Sequence, residues 1–368
     1  MKNTLALLFL LLLSFSSHSQ LTSHNTIVGG VTRSYYKYLP VGYQASENLP
    51  VVFILHGLGG TAQQMTLAGF SLIADTARII AIYPSGVQNF TGQSAWNNGT
   101  LASCTADDIS FFNKMMDEMI LNQNANPSRI YVTGFSMGGI MSHHLACSIN
   151  NRIAAIGPMA GTMSTNDIAN CVPAYKTPVI HLHGTADGTV PYSSGALPSL
   201  SLVPETIAFW RNVHGCSTAA DSTRIPDLAN DGFTIDRFVY NNCNPSGSLE
   251  LWRINGADHI YLYQPANDIT EAIEIWKFFN KWQHPNPAAV GISELVKEKS
   301  FTIYPNPTSG EFRINSDVSK SLMLLDVQGK IIHTFEVNPG TTTVAFKIST
   351  GIYLLKDENG ATQRLIIR

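Results

Sequence analysis

The chain has 368 residues, of which 44% are hydrophobic, so it is long enough and apolar enough for two domains with sizeable cores. Only 13% of the residues are charged, and the formal net charge is −3. These values exclude the composition of a disordered chain and the basic surface that a nucleic-acid-binding protein needs.

The first residues have the pattern of a cleavable signal peptide, which we place at 1–20. Lys2 precedes an apolar run at 5–13, and small polar residues follow as far as Gln20. The run is shorter than the roughly 20 residues that a transmembrane helix needs. The pattern therefore predicts export without stable insertion in a membrane.

The pattern of apolar runs in residues 24–284 predicts an α/β domain, in which a mostly parallel sheet has helices on both faces. Strands buried on both sides are indicated by five continuous apolar runs, at 51–55, 79–83, 129–133, 178–182 and 249–254. Apolar residues at helical spacing occupy 108–122, and a closing amphipathic helix is predicted at 269–282. Strands that alternate with helices are typical of a parallel sheet.

The composition changes after the closing helix. Residues 285–300 are rich first in Pro, Asn and Ala and then in charged residues, and predict a linker. From 301 to 368 the chain consists of short apolar runs separated by turn residues such as Gly329 and Asn359-Gly360. This pattern predicts a small C-terminal β-sandwich.

Five cysteines are present, namely Cys104, Cys147, Cys171, Cys216 and Cys243. In an exported chain they are candidates for disulfide bonds. Cys216 and Cys243 flank one segment and are predicted to pair. Two of the other three are expected to form a second bond, which leaves one buried thiol. No pair has the CxxC spacing of a structural zinc site, so we predict no metal.

The sharpest motif for chemistry is Gly134-Phe135-Ser136-Met137-Gly138, which follows the third strand and opens a helical stretch. A tight turn between strand and helix admits only small residues beside the serine, and it exposes the hydroxyl above the sheet. The helix N-terminus beneath favours negative charge. This setting predicts Ser136 as the nucleophile of an α/β-hydrolase fold, rather than an ordinary glycine turn.

A serine nucleophile needs a base and an acid, which follow it in the order acid and then histidine in this fold. Asp187 comes just after the fourth strand, and His259 follows the fifth strand by a short loop. We predict these two residues as acid and base. His214, near the end of a helix, is interpreted as a surface residue, and His183 only flanks the acid's loop. Three other acids lack a preceding buried strand: Asp221, Asp227 and Asp231.

An oxyanion hole requires two backbone N–H groups that point at the developing charge. Met137, directly after the nucleophile, is predicted to supply one. The glycine-rich segment after the first strand, His56-Gly57-Leu58-Gly59-Gly60, is predicted to supply the other from Leu58, with His56 in a structural role. Acyl transfer through Ser136 then needs neither a metal nor an organic cofactor.

Several stretches of residues 27–284 resemble secreted esterases related to polyhydroxybutyrate depolymerases and to feruloyl or acetylxylan esterases. They are Leu55-His56-Gly57, residues 106–111, residues 129–139, His183-Gly184-Thr185-Ala186-Asp187 and Gly256-Ala257-Asp258-His259. The resemblance implies the triad Ser136, Asp187 and His259. Many such esterases carry a glycine-rich sequence directly before the base, whereas this chain has Ala257-Asp258, which implies a different pocket wall.

The C-terminal region resembles the sorting domain of the Bacteroidetes type IX secretion system. The resemblance rests on Tyr304-Pro305-Asn306-Pro307 with Gly310, on residues 326–330, on Gly351-Ile352-Tyr353 and on the ending 364–368. It implies passage across the outer membrane with the type IX machinery as partner, followed by removal or by surface attachment. The alternative is a carbohydrate-binding or adhesive β-sandwich.

Three functions compete at this point. The first is hydrolysis of feruloyl or acetyl esters on plant polysaccharides, and the second is depolymerisation of a polyester such as polyhydroxybutyrate. The third is non-catalytic binding on a hydrolase scaffold, which predicts a broken triad. Trp96 and Tyr192 are candidates for stacking on a substrate ring or sugar, or else for ordinary packing.

Overall fold

The computed structural model describes residues 20–195, 197–245, 247–287, 301–326, 330–357 and 362–368. Contacts divide the chain into two compact units, Met1–Val290 and Gly291–Arg368. Nearly all of the predicted signal peptide, most of the predicted linker and the predicted turns at Gly329 and Asn359-Gly360 lie outside the described residues. No helix in the described ranges is long and apolar enough to cross a membrane.

The first unit is built around one large sheet. Its strands, in chain order, are β1 (Leu21–Val28), β2 (Val31–Tyr38), β3 (Val51–Leu55), β4 (Ile80–Pro84), β5 (Val87–Gln88), β6 (Ser94–Ala95), β7 (Ile130–Phe135), β8 (Ala155–Met159), β9 (Val179–Gly184), β10 (Ala220–Arg224), β11 (Thr234–Tyr240) and β12 (Leu249–Asn255). Ten of them form a sheet in the order β1-β2-β4-β3-β7-β8-β9-β12-β11-β10, while β5 pairs with β6. The six strands from β4 to β12 run parallel, and the flanking strands are antiparallel.

Helices cover both faces of this sheet. They are α1 (Ala62–Met65), α2 (Phe70–Ala77), α3 (Asp108–Gln123), α4 (Met137–Ser148), α5 (Thr165–Asn170), α6 (Val203–His214) and α7 (Glu271–Phe279). One buried apolar cluster packs α3, α4 and α6 on the sheet, and a second packs α2 and α7 on its opposite face. The predicted α/β-hydrolase arrangement is thereby confirmed, and all five predicted strands are present as β3, β4, β7, β9 and β12.

The second unit is a β-sandwich, as predicted. Its strands are β13 (Thr302–Tyr304), β14 (Glu311–Ser316), β15 (Lys320–Leu325), β16 (Ile331–Val337), β17 (Gly340–Ala345), β18 (Gly351–Asp357) and β19 (Thr362–Ile367). They form a sheet β13-β14-β17 and a sheet β16-β15-β18-β19. Buried residues of both sheets, such as Phe312 and Leu324, belong to one apolar cluster, so the two sheets share a core.

Disulfide bonds are present as expected of an exported chain. Cys216 is joined to Cys243, and Cys147 to Cys171. Cys104 is a buried free thiol, and burial raises its pKa. The first bond joins the turn after α6 to the turn after β11, and the second joins the end of α4 to the end of α5. Each disulfide bond therefore fixes one end of a helix that lies beside the sheet.

A buried ion pair holds the N-terminal hairpin to α3. Arg33 on β2 donates from Nη2 to Asp108 Oδ1 at 2.6 Å, and the two side chains are 2% and 0% exposed. The other carboxylate oxygen accepts the Asn97 N–H at 2.7 Å, and the guanidinium lies 4.2 Å from the Phe111 ring. One carboxylate thus fixes β2, α3 and the loop after β6 together.

Replacing Asp108 with alanine is expected to destabilise the protein by about 3–5 kcal/mol, because it leaves the guanidinium of Arg33 buried and unpaired. The free energy of unfolding in urea measures this. Lys277→Ala is the control, since Lys277 is 63% exposed in its pair with Glu274 and should change stability by less than about 1 kcal/mol. Equal effects of the two variants would contradict this role of the buried pair.

Candidate active site

Ser136 occupies a strained turn between β7 and α4. Its backbone has φ 57° and ψ −120°, a conformation that non-glycine residues rarely adopt. A Cβ on Gly134 would lie 2.6 Å from the Gly138 carbonyl, and a Cβ on Gly138 would lie 2.7 Å from the Leu55 carbonyl carbon. The two glycines of the motif are therefore required by the close approach of backbone segments, and the strain is a mark of a functional position.

Asp187 and His259 lie at the same edge of the sheet as Ser136. The strands β7, β9 and β12 are parallel members of one sheet, and each of the three residues follows the carboxyl end of one of them. The two loops are joined by backbone contacts, with Ala186 N–H donating to Ala257 O at 2.9 Å and Gly188 N–H to Asp258 Oδ1 at 2.9 Å. Neighbouring strand ends thus bring acid and base together.

The imidazole of His259 is paired with the carboxylate of Asp187. Nδ1 lies 2.7 Å from Asp187 Oδ2, and the ring centroid lies 4.7 Å from that of Phe135, the neighbour of Ser136. An ionised carboxylate can only accept a hydrogen bond, so Nδ1 carries the proton. The neutral ring then has an unprotonated Nε2, which is the atom that a general base needs.

Asp187 is buried, with its side chain 0% exposed. Burial would raise the pKa of Asp187, but hydrogen bonds from His183, His259 and the Val190 N–H outweigh it and hold this pKa well below its usual range. Oδ1 accepts the N–H groups of Thr189 at 2.9 Å and Val190 at 2.7 Å. The carboxylate is therefore ionised and fixed in orientation.

The loop after β3 packs directly on Ser136. A Cβ on Gly57 would lie 3.1 Å from the Ser136 Cβ, so glycine lets the two segments approach this closely without a shift. Leu58 follows, and the N–H of Met137 is the first of α4, where no carbonyl within the helix can accept it. These positions match the predicted oxyanion donors, which stay a prediction.

His56 holds this loop in place and has the predicted structural setting. It is 1% exposed, its Nε2 accepts the Gly86 N–H at 2.9 Å, and its Nδ1 therefore donates to Gly57 O at 2.8 Å. Burial lowers the pKa of His56, which favours this neutral form. The indole of Trp96 donates to His56 O at 2.9 Å.

The two residues suggested for ring stacking lie in different surroundings. Trp96 is 0% exposed and packs under the loop of His56, so it cannot touch a substrate in this structure. Tyr192 is partly buried, and its ring meets that of His183 edge-on with centroids 5.9 Å apart. The interpretation of His214 as a surface residue is wrong: it is 0% exposed, its ring packs on Trp210, and its Nε2 lies 3.0 Å from Thr177 O.

Among the described residues, one group of carboxylates could hold a cation. Asp227, Asp231 and Asp268 place oxygens within 4.8 Å of one another. Asp268 already accepts the N–H groups of Leu228 and Ala229, and Asp231 accepts that of Phe233. Asp268 therefore joins the loop before α7 to the β10–β11 connection, and Asp231 does the same by accepting the side-chain amide of Asn267 at 2.8 Å.

The loop that carries His259 ends on a buried carboxyl group. Glu271, the first residue of α7, is 2% exposed, and its N–H donates to Leu262 O at 3.2 Å. Within the described part of the chain its Oε2 has no hydrogen-bond partner. Burial raises the pKa of Glu271 to about 8, against an opposing contribution from a backbone hydrogen bond with Leu262.

This raised pKa makes stability depend on pH. The folded state keeps the proton of Glu271 up to a pH of about 8, while the unfolded chain loses it near 4.5, so stability is lost as the pH rises between these values. Glu271→Gln should remove this loss. In urea unfolding, the free energy of unfolding of Glu271→Gln minus that of the native chain should therefore be larger at pH 8 than at pH 5. Glu274→Gln, on the same helix, is the control, and a pH-independent difference for Glu271→Gln would contradict the argument.

Comparison with known proteins identifies both parts of the chain. Residues 38–203 match the family described as phospholipase/carboxylesterase. Residues 302–368 match the secretion system C-terminal sorting domain, which marks the chain as an exported protein. Both predicted resemblances are thus confirmed.

The relatives of the carboxylesterase region act on different esters. A bifunctional acetylxylan esterase/xylanase of Neocallimastix patriciarum is 26% identical over 284 residues, which are 76% of this chain and 37% of that protein. Feruloyl esterase B of Piromyces equi is 30% identical over 232 residues, 60% and 41% of the two chains. Poly(3-hydroxyalkanoate) depolymerase C of Paucimonas lemoignei is 27% identical over 247 residues, 61% and 57%. The chain thus spans well under two thirds of each relative.

A solved structure supports the fold of the carboxylesterase region. Acetyl xylan esterase from Aspergillus awamori superposes with a TM-score of 0.51 at 17% sequence identity, and the match covers 70% of this chain and 99% of that one. At this identity the likeness shows the fold alone.

Proposed function

We propose that the chain is an exported serine hydrolase of carboxylic esters, with Ser136 as nucleophile, His259 as base and Asp187 as acid. The observation that carries the proposal is the 2.7 Å contact between His259 Nδ1 and the buried Asp187 carboxylate, at the sheet edge where Ser136 stands on its strained turn. The match of residues 38–203 to the carboxylesterase family supports it.

The reaction follows from the protonation of these groups. Ser136 Oγ attacks the ester carbonyl while His259 Nε2 takes its proton, and Asp187 stabilises the imidazolium that forms. The N–H groups of Leu58 and Met137 stabilise the oxyanion. His259 then gives its proton to the leaving alcohol, which leaves an acyl group on Ser136. A water molecule, deprotonated by His259, attacks this acyl group and releases the acid.

The substrates that we propose are feruloyl or acetyl esters of plant polysaccharides. The acetylxylan and feruloyl esterases among the relatives support this choice. We further propose that the β-sandwich engages the type IX secretion machinery. Deletion of residues 302–368 in the native host should then leave the protein in the periplasm, and normal release of the shortened chain would contradict this.

A polyester such as polyhydroxybutyrate is the second candidate substrate. A groove is lined by Leu67, Leu72, Ile73, Tyr261 and Tyr263. Tyr261 follows His259 by two residues in the chain. Leu67 and Leu72 are 86% and 83% exposed. Exposed apolar residues that border one groove are typical of a surface that binds a partner. Such a surface fits an insoluble apolar polymer better than a sugar chain.

Turnover by the full chain tests these proposals. The substrates are p-nitrophenyl acetate, methyl ferulate, acetylated xylan and a polyhydroxybutyrate film. We expect turnover of the first three and slower release from the film. Absence of all ester turnover would refute the proposed activity. Preference for the film, lost in a Leu67→Gln/Leu72→Gln double variant that keeps its activity on p-nitrophenyl acetate, would select the second candidate.

A further inference from the structure

A row of buried nitrogen-bearing rings runs from the core to Asp187. Trp210, His143 and His181 are 0% exposed, and His183 is 1% exposed. Trp210 Nε1 donates to His143 Nδ1 at 3.0 Å, and the His143 and His181 rings stack with centroids 5.6 Å apart. His181 Nε2 lies 3.2 Å from His183 Nδ1. The row ends at the acid of the triad.

We propose that His183 is a positioning residue of the triad, whose Nε2–H contacts Asp187 Oδ2, the oxygen that also accepts from His259. The distance between these two atoms is 3.3 Å. The inference rests on the proposed function, since it assigns His183 a role only if Asp187 orients the base. His183 itself is buried and has no access to a substrate.

The hydrogen bonds determine which nitrogen of His183 carries the proton. His183 Nε2 lies 2.8 Å from the Val190 carbonyl oxygen, which can only accept, so Nε2 is protonated. In the neutral ring Nδ1 is then an acceptor, and His181 Nε2 must donate to it. Burial, followed by the neighbouring His183 and His143, holds the pKa of His181 well below its usual range, so His181 is neutral as this arrangement requires.

Four N–H groups therefore lie around one carboxylate. Oδ1 accepts two backbone N–H groups from Thr189 and Val190, and Oδ2 accepts from His259 Nδ1. The Nε2–H of His183 is shared between the Val190 carbonyl oxygen, at 2.8 Å from Nε2, and Asp187 Oδ2, at 3.3 Å. A second N–H on Oδ2 withdraws negative charge from the oxygen that faces His259. Its presence should lower the basicity of His259 and restrict the rotation of the carboxylate.

The other titratable groups near this carboxylate do not depend on the side chain at position 183. Asp258 accepts backbone N–H groups from Gly188 and His259, which lower its pKa. Burial raises the pKa of Tyr192 to about 12, so its hydroxyl stays neutral. Glu271, beyond Tyr261, titrates in the same way in every variant of His183, so its effect cancels in a comparison.

The test compares three variants of the full chain with the native one on p-nitrophenyl acetate over a range of pH. His183→Leu removes the donor, and His183→Gln keeps an amide N–H at about the position of Nε2. His214→Leu is the matched control, because His214 is also fully buried with Nε2 on a carbonyl oxygen, at a site away from the triad.

We expect His183→Leu to lower kcat about 10- to 100-fold, the rate equivalent of one hydrogen bond to a charged group, with little change in KM. The acidic limb of kcat/KM should move to higher pH by up to about one unit, because the more negative Oδ2 stabilises the His259 imidazolium. His183→Gln should restore this limb, and His214→Leu should leave it in place.

An unmoved acidic limb in His183→Leu, with a loss of rate no larger than in His214→Leu, would overturn the proposal. An inactive native chain would instead refute the proposed function. If His183→Leu does not fold, the native chain labelled with nitrogen-15 histidine gives the answer by NMR. We expect His183 to be the Nε2–H tautomer, and its Nε2 proton resonance to shift when His259 is protonated. The Nδ1–H tautomer, or a resonance that does not shift when His259 is protonated, would refute the inference.

Discussion

Ser136→Ala is expected to lower kcat for p-nitrophenyl acetate by about 10⁵- to 10⁶-fold. The change removes only Oγ, and alanine meets the same backbone strain at φ 57° as serine does. The loss is therefore a loss of the nucleophile rather than of the turn. A residual rate above that in water should remain, since the oxyanion donors are untouched.

Ser142→Ala is the matched control for this variant. Ser142 lies in α4, is 0% exposed and donates to Gly138 O at 2.8 Å. Its replacement should cost about 1 kcal/mol of stability and leave kcat nearly unchanged. Turnover in Ser136→Ala within tenfold of the native chain would contradict the role of Ser136.

Asp187→Asn should lower kcat by about 10⁴-fold. The backbone N–H groups of Thr189 and Val190 both donate to Oδ1 and so keep the amide oxygen of asparagine on their side. The amide NH₂ then faces His259 Nδ1 and donates to it. Nδ1 becomes the acceptor, the proton moves to Nε2, and the imidazole can no longer take a proton from Ser136.

The matched control is Asp221→Asn, on the edge strand β10, where an exposed carboxylate accepts only the Asn241 amide among the described residues. It should leave kcat unchanged. A loss of less than tenfold in Asp187→Asn would show that Asp187 does not set the tautomer of His259.

The sequence predicted the centre of the large sheet better than its edges. The strands β3, β4, β7, β9 and β12 have apolar side chains on both faces, which gives continuous apolar runs. Strand β8 was missed because Gly157 and Pro158 interrupt its apolar run. Gly157 allows α7 to pack closely on the strand, since a Cβ at this position would lie 2.8 Å from Ile275. The outer strands β1, β2, β10 and β11 mix polar residues with apolar ones, so none of them has a long continuous apolar run.

Chain order led to the prediction of Asp187 and His259, because both follow a buried strand, and the structure brings their side chains into contact at 2.7 Å. The environment of the acid was not predicted, although a signal existed. His181 and His183 are two residues apart on β9, so their side chains lie on one face of the sheet. For Trp96 the sequence left stacking on a substrate and ordinary packing open, because a loop residue has no periodicity that would show its direction, and in the structure it packs in the core.

The most direct test of the account is covalent labelling of the full chain with a fluorophosphonate, followed by intact mass and peptide mass measurement. The mechanism requires a nucleophile activated by His259, so we expect one adduct, on the peptide that contains Ser136. The same measurement on Ser136→Ala should give none, and labelling of Asp187→Asn should be slower by orders of magnitude. An adduct on another residue, or no adduct on an ester-hydrolysing native chain, would contradict Ser136 as the nucleophile.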